Sequence, residues 1–322
     1  MKARNVAIAK SKGSYIAPID ADDIWFPEKI EKQMQCLLNS SPSVGLVYCW
    51  SVDINAREEI IGRYCADVYQ TVHSTNGYVL PVLAYSNFLN NGSNPLIRRI
   101  CLTSVGNYDY RLREQNAEGC EDLDLYLRIA EQYEFQVVPE FLMGYRQSAG
   151  SLSRNSMRIA KSYNLTMAKL KSRHPEIPRY FYRWSRGYFY NYLVGQVFGS
   201  GNNRDAIYWV YKAFRVDWAI VLRPGIYKVL LLSSLRIIVE LIASLTGQNH
   251  KIWSEFRDRS FLAPKSYRNI AEIKQQWQKS SSFKDSLYDR LLSYRWHQVN
   301  KFCQGDSCKR ANRYWDEDKF AR

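Results

Sequence analysis

The sequence predicts an α/β protein, a layered domain of strands and helices continued by a mainly α-helical region. Three observations carry this reading. Strand-like and helix-like segments alternate as far as Arg146, the mark of a layered α/β domain. From about Ser153 the texture becomes aromatic, basic and helical in period. With 322 residues, 46% of them hydrophobic, the chain exceeds the ~250 to 300 residues at which single cores stop growing, so a packed protein of more than one region is expected rather than disorder.

The elements follow in order. The apolar run Tyr15 to Ile19 reads as a strand, and "WFPEKIEKQMQCLLNSSP" reads as a helix, with Pro27 suited to its first turn and Ile30, Met34, Leu37 and Leu38 at helical spacing. "VGLVYCWSVDI" is a buried strand. "NPLIRRICLTSVGNYD" holds a strand-to-helix turn, and "EDLDLYLRIAEQYEFQVVPEFLMGYR" holds an acidic helix start, the helix, and one strand or two. Residues 1–152 form this first domain. In residues 153–248 the Gly/Asn-rich link at 199–203 reads as the turn of a helical hairpin. "IYKVLLLSSLRIIVELIASLTG" then has the length of a membrane span, yet Lys228, Arg236 and Glu240 fall within one arc of ~120° on a helical wheel. Three charges argue against a spanning helix and for an amphipathic one, lying in a membrane interface or on another helix. Residues 249–322 read as a basic helical tail bearing Trp and Tyr.

Charge is divided unevenly. Residues 1–150 hold 14 Lys+Arg against 18 Asp+Glu, whereas the remainder hold 31 against 13. The first part suits a cation-binding site, and the second suits a surface that meets something anionic. A nucleic-acid partner is not expected, because no recognised motif accompanies the basic region and the first part is acidic. Seven cysteines, scattered and odd in number, build no disulfide framework, and Cys303 and Cys308 lack the companions of a zinc site. Reduced thiols and a cytoplasmic setting are expected, with peripheral contact at the inner face of the plasma membrane. The amino end, "MKARNVAIAKSKG", has too short an apolar run for a signal peptide.

The stretch "GSYIAPIDADDIWFPEKIEKQ" places Asp20, Asp22 and Asp23 directly after the first apolar run. Ligands of open α/β sheets bind beyond the carboxyl ends of strands. Hard cations take oxygen ligands, and Mg2+ is usually held by one or two carboxylates together with substrate phosphates. A cation of this kind removes the mutual repulsion of the cluster. Taken alone, the cluster equally fits a solvated turn in which Asp23 caps the following helix. Glu121 and Asp122 likewise fit the acidic first turn of any helix, and Arg128 either orients a neighbouring carboxylate or pairs with Asp124 at i, i+4.

Three ordered motifs together resemble the family 2 glycosyltransferases of the GT-A fold. "ARNVAIAKSKGSYIAPIDADDIWFPEKIEKQ" is similar to the family's central segment, "NPLIRRICLTSVGNYDYRLR" to its acceptor-side segment, and "GCEDLDLYLRIAEQYEFQVVPEFLMGYR" to its Glu-Asp motif, helix and closing strand. The resemblance covers about residues 3–153 and implies a Rossmann-like, mixed-sheet GT-A domain. It implies that Asp22 contacts a divalent metal, Mn2+ or Mg2+, that Asp20 reaches the ribose or the metal shell, and that Asp23 supports the turn. It implies a catalytic base in the Glu-Asp pair, Asp122 first and Glu121 second. Arg4 and Asn5 of the Ala-Arg-Asn helix, and Arg146, fall on the donor side, with Arg146 placed to meet phosphate. Trp25 is expected either to stack on a sugar or uracil or to plug the turn. The implied reaction is an inverting transfer from a nucleotide-sugar donor to a glycan or lipid-linked glycan acceptor, in the making of cell-surface polysaccharide.

Two departures qualify the resemblance. Where the family closes its domain with Tyr-Arg-x-His, Tyr145 and Arg146 match but Ser148 stands at the His position, a poorer metal ligand. The sequence also starts almost at the Ala-Arg-Asn helix, so about two βαβ units, roughly 30 residues or more each, are expected to be absent. The expectation is therefore an incomplete GT-A domain: a truncated reading frame, an inactive remnant, or a chain whose sheet a partner completes. A non-enzymatic assembly partner retaining the fold is the alternative to the transferase.

Overall fold

The structure, a computed structural model, describes residues 2–64, 76–147, 155–246, 269–273, 275 and 286–304. Its centre is a mixed sheet. Helix α1 (Lys2–Lys10) leads to β1 (Tyr15–Ile16), β2 (Ile24–Trp25), α2 (Lys29–Leu38), β3 (Val44–Ile54) and β4 (Ile60–Tyr64). Then come α3 (Leu80–Tyr85), β5 (Leu96–Arg98), α4 (Arg99–Val105), α5 (Arg111–Glu114), α6 (Glu121–Ala130) and β6 (Glu134–Arg146). The strands lie in the order β1-β5-β3-β6-β2, with β4 added alongside β3; among the described residues only the β3–β6 pair is parallel.

The continuous apolar run of β3 makes it the central strand, buried on both faces. Leu46 and Tyr48 point into the larger core, and Val47 and Cys49 point to the opposite face against Leu37 of α2. The register of β3 with β6 skips between Cys49 and Trp50, opposite Val138 and Phe141. Pro139, which has no N–H to give a ladder, falls in that irregularity. Arg98 and Arg99 tie the layers together. Arg98 donates to Leu37 O and Val44 O at 2.8 Å each, and Arg99 donates to Ile8 O at 3.2 Å and to Ser11 Oγ at 2.6 Å, so each serves one carbonyl near a helix carboxyl end, Leu37 of α2 and Ile8 of α1.

Three expectations are refined. The strand expected over Tyr15 to Ile19 is two residues long, because the chain turns away toward the acidic loop. Pro27 precedes α2 rather than opening it, as the helix begins at Lys29 after an N-cap at Glu28. The buried face of α2 is Lys29, Gln33 and Leu37, while Leu38 is exposed. Gln33 faces inward because its amide donates to Asn94 O at 2.9 Å and accepts Lys29 Nζ at 2.8 Å.

The helical region packs on the sheet through one continuous core. Helices α7 (Ser156–Arg173), α8 (Arg179–Gly199), α9 (Asn203–Val216), α10 (Pro224–Thr246) and α11 (Leu287–Gln304) follow β6, with a 3-10 turn at Trp218–Leu222. The largest cluster runs from Leu46 and Tyr48 through Tyr126 to Phe181, Leu193, Trp209 and Trp296. Helices α8 and α9 form the expected hairpin, turned at Gly201 (φ 79°) and capped by Asn202, whose side chain accepts from Asp205 N at 3.1 Å. A buried pair holds α8 in place. Arg295 of α11 donates to both oxygens of Asp217, one at 2.8 Å, and Asp217 lies so close to α8 that a Cβ on Gly187 would stand 2.5 Å from Asp217 Cβ. The described cysteines, Cys36, Cys49, Cys101, Cys120 and Cys303, are free thiols. Among the described residues no helix is long and apolar enough to cross a membrane.

Candidate active site

The acidic loop lies between β1 and β2 and is tied at both ends. Asp23 N donates to Asp20 O at 3.2 Å, and Asp20 N donates to Ser93 Oγ at 2.9 Å. Asp23 turns inward, 8% exposed, and accepts the backbone N–H of Arg146 at 3.0 Å; burial pushes its carboxyl pKa up. Arg146 grips the loop from β6, giving Nε to Asp22 O at 2.8 Å, Nη1 to Asn55 O at 2.9 Å and Nη2 to Glu58 at 3.1 Å. The Asp22 side chain is left exposed and makes no hydrogen bond or ion pair with the described residues.

Helix α6 presents the second acidic group. Glu121 bends back to accept Gly119 N at 2.8 Å, and Arg128 pairs with Asp124 at 2.9 Å while donating to the carbonyls of Val105, Gly106 and Asn107. Arg128 is thus paired at i, i+4. Asp122 turns instead toward the acidic loop, and Arg4 of α1 joins the two: its guanidinium donates to Asp122 Oδ1 at 2.9 Å and to Asp20 Oδ1. Asn5 fixes α1 by exchanging hydrogen bonds with the backbone of Tyr108, at 2.9 and 3.2 Å, and the Arg4 guanidinium lies 5.3 Å from the Tyr108 ring centre.

These charges act on one another. Burial raises the Asp122 carboxyl to about 6, with Asp20 and Glu121 adding to the rise and Arg4 opposing it. Burial works against the Arg4 cation, but Asp122 and Asp20 more than offset it and hold the guanidinium above its ordinary value. Gly92 permits the close approach: a Cβ there would stand 2.9 Å from both Asp122 oxygens.

The groups border one cavity of about 590 Å3. Of the residues the sequence singles out, Arg4, Asp20, Asp22, Glu121, Asp122 and Arg146 line it. Asn5 and Trp25 do not: Asn5 holds Tyr108, and Trp25 donates Nε1 to Ser93 O at 2.9 Å, with Lys29 Nζ 4.4 Å from its ring centre. Ser148 lies outside the described residues.

The sequence model of the family described as glycosyltransferase like family 2 matches residues 1–190. The chain belongs to this family. It is also 27% identical over 145 residues to an uncharacterized glycosyltransferase of Methanocaldococcus jannaschii. That match covers 45% of this chain and 46% of the relative, so the chain aligns with about half the length of the curated relative.

In this member of the family the matched region runs past β6 into α8, so it includes residues that line the cavity from the helical side. Several residues that line the cavity or brace the acidic loop lie beyond the three sequence motifs. Ser93, Gly92 and Asn91 come from the "NNGSNP" turn, and Tyr85, Tyr163, Tyr188, Phe189 and Tyr192 from α3, α7 and α8. The first set carried a turn signal in its Asn, Gly, Ser and Pro, and Tyr188, Phe189 and Tyr192 lay within the aromatic run "PRYFYRWSRGYFYNYLVGQVFG", whereas Tyr85 and Tyr163 stood outside it. Among the described residues no group of three or more His, Cys, Asp or Glu could hold a metal. The donor set of Asp20 and Asp22 still fits a hard cation of the kind that draws its other ligands from water and a diphosphate.

Proposed function

We propose that the protein transfers a sugar from a nucleotide-sugar donor to a hydroxyl of a glycan or lipid-linked glycan acceptor, with inversion at the anomeric carbon. The observation that carries this is the meeting, in one cavity, of Asp20 and Asp22 with Asp122 from a segment a hundred residues away, bridged by Arg4. A Mn2+ or Mg2+ ion held by Asp22 and Asp20 would supply charge neutralisation to the departing diphosphate. The protein's own groups do the rest. Asp122, as carboxylate, takes the proton of the acceptor hydroxyl; the acceptor oxygen bonds to the anomeric carbon as the bond from that carbon to the diphosphate oxygen breaks. Asp122 then gives its proton to solvent. Arg4 keeps Asp122 oriented and favours its charged form, and Glu121, occupied with Gly119 N, is the weaker candidate for the base.

The test is nucleoside diphosphate release from a panel of nucleotide sugars. Asp122→Asn is expected to lower turnover by at least ~10²-fold, as loss of a general base does, and Glu121→Gln to lower it much less. Unchanged turnover in Asp122→Asn would overturn the assignment, and no release from any donor would favour the non-enzymatic assembly partner.

A peripheral membrane contact at the cytoplasmic face fits the α9–α10 surface. On α10 the side chains of Tyr227, Leu231, Leu235, Ile238 and Ile242 recur every three or four residues and are 49–61% exposed. Phe214 and Trp218 are exposed beside the basic Arg215, and Lys228 lies on α10 itself. Apolar side chains with aromatic and basic neighbours suit an anionic phospholipid surface. Co-sedimentation with phosphatidylglycerol vesicles should be lost in Leu231→Asp with Leu235→Asp; retention would count against this contact.

A further inference from the structure

The cavity beside Asp122 is divided by charge. Every Asp, Glu, Lys and Arg among its lining residues is one of the six already described: Arg4, Asp20, Asp22, Glu121, Asp122 and Arg146. The rest of the lining, drawn largely from residues 83–92, α7 and α8, carries aromatic rings, hydroxyls and amides together with the aliphatic side chains of Leu83, Leu123 and Ile159, and no formal charge. Phe189 is stacked on Tyr163, ring centres 3.9 Å apart and planes 6° from parallel, and Tyr163 shares a 2.5 Å hydrogen bond with Ser185. Tyr188 is hydrogen-bonded to Ser86 and lies 6.4 Å, centre to centre, from Tyr85. Tyr192 lines the same cavity and remains 43% exposed. Asn91, only 6% exposed and also part of the lining, has its Oδ1 occupied by Ser93 N and a buried Nδ2 with no partner.

This mixture selects among ligands. A pyranose has an apolar C–H face, which seats on an aromatic ring, and a rim of hydroxyls, which need donors and acceptors. A polyprenyl chain would leave those hydroxyls and amides desolvated and unpaired. A uronate or phosphorylated sugar would need a cation, and this part of the lining has none. We infer that the helical region supplies the acceptor subsite: a neutral pyranose ring seated on Tyr188, Phe189 and Tyr192, its reacting hydroxyl turned toward Asp122. The inference rests on the transferase reading and extends it. Helix α8 then has a role beyond packing, and the Asp217–Arg295 pair that fixes it is part of the site's framework.

The test is saturation-transfer NMR on the whole chain with methyl β-glucopyranoside, methyl β-galactopyranoside and methyl α-mannopyranoside. Methyl β-glucuronide and farnesyl phosphate serve as the charged and lipid comparators. Binding of UDP and GDP in the presence of Mn2+ is measured in the same samples. At least one neutral ring should receive saturation, reduced fivefold or more in Tyr192→Ala and in Tyr188→Ala, and largely restored in Tyr192→Phe. Nucleoside diphosphate binding should stay at the wild-type level in Tyr192→Ala. A preference for the glucuronide or for farnesyl phosphate, or neutral-ring signals equal in wild type and both alanine variants, would overturn the subsite. Nucleoside diphosphate binding without any neutral ring bound defeats the subsite alone; absence of both defeats the transferase reading with it.

Discussion

Replacing Arg4 by Met removes the cation that joins Asp122 to Asp20, and its effect can be worked from the geometry. The Nη1 to Oδ1 distance is 2.9 Å. Unit charges centred ~4 Å apart at an effective dielectric of ~20 attract by ~4 kcal/mol, or about 3 pKa units. The two side chains keep 25% and 27% exposure, so solvent reduces this; an effect of about 1 to 2 units is expected. The Asp122 carboxyl, pushed up to about 6 by burial while Arg4 holds it down, should therefore rise further in Arg4→Met. The assay is a carbon-13 NMR titration of selectively labelled aspartate carboxyls in wild type and variant, with Asp122→Asn to assign the resonance. If the base is Asp122, the acidic limb of kcat/KM should move up by the same amount. An Asp122 titration that is unchanged or moves down in Arg4→Met would mean that the ion pair does not govern the carboxylate.

Other consequences are open to measurement. In Gly92→Ala the new Cβ would stand 2.9 Å from the Asp122 oxygens, against at least 3.4 Å for ordinary contact. A retreat of about half an ångström should lower kcat by roughly tenfold with little change in Tm, since a 1 Å misplacement costs ~10²-fold; unaltered kcat would show that Asp122 need not be held there. The raised Asp122 pKa makes a stability contribution that is full below the unfolded value of 3.8 and lost as pH rises through about 6. Thermal melts of Asp122→Asn should thus show a Tm gain over wild type at pH 8 that shrinks toward pH 4; a gain that grows with acidity would contradict the sign. In Gly187→Ala the Cβ clashes at 2.5 Å with Asp217 and displaces the buried Arg295 pair. A loss of roughly 3 kcal/mol by denaturant titration is expected, and wild-type stability would show that α8 is not set by this contact.

Much of the sheet was legible because its strands are dictated locally. The apolar run of β3 matches Val44–Ile54, and the acidic start of α6 and its passage into β6 follow from "EDLDLYLRIAEQYEF". The short edge strands were less legible, since β1 and β2 owe their extent to partners at Ile97–Arg98 and Met143–Gly144, which no local pattern reveals. The inward face of α2 was misleading for a related reason: Lys29 and Gln33 are buried because Asn94 O and the Trp25 ring receive them. In the site, the carboxylates could be read from spacing and motif order. Their connection through Arg4 could not, because a contact across 118 residues is a property of the fold. Arg146 is instructive as well. A cation expected beside phosphate gives three of its five N–H groups to Asp22 O, Asn55 O and Glu58, and so shapes the loop while it lines the cavity. The aromatic residues of α8 showed helical period, but period alone does not say which rings face the core and which face a cavity.

On the proposed reading Asp22 and Asp20 grip a divalent ion together with a nucleoside diphosphate. This is tested most directly by electron paramagnetic resonance of Mn2+ titrated into the chain with and without UDP or GDP. The protein should attenuate the free Mn2+ signal only when a diphosphate is present, and Asp22→Ala should abolish the attenuation while keeping the wild-type fold. Attenuation of equal size in Asp22→Ala, or none in the wild type with either nucleotide, would contradict it.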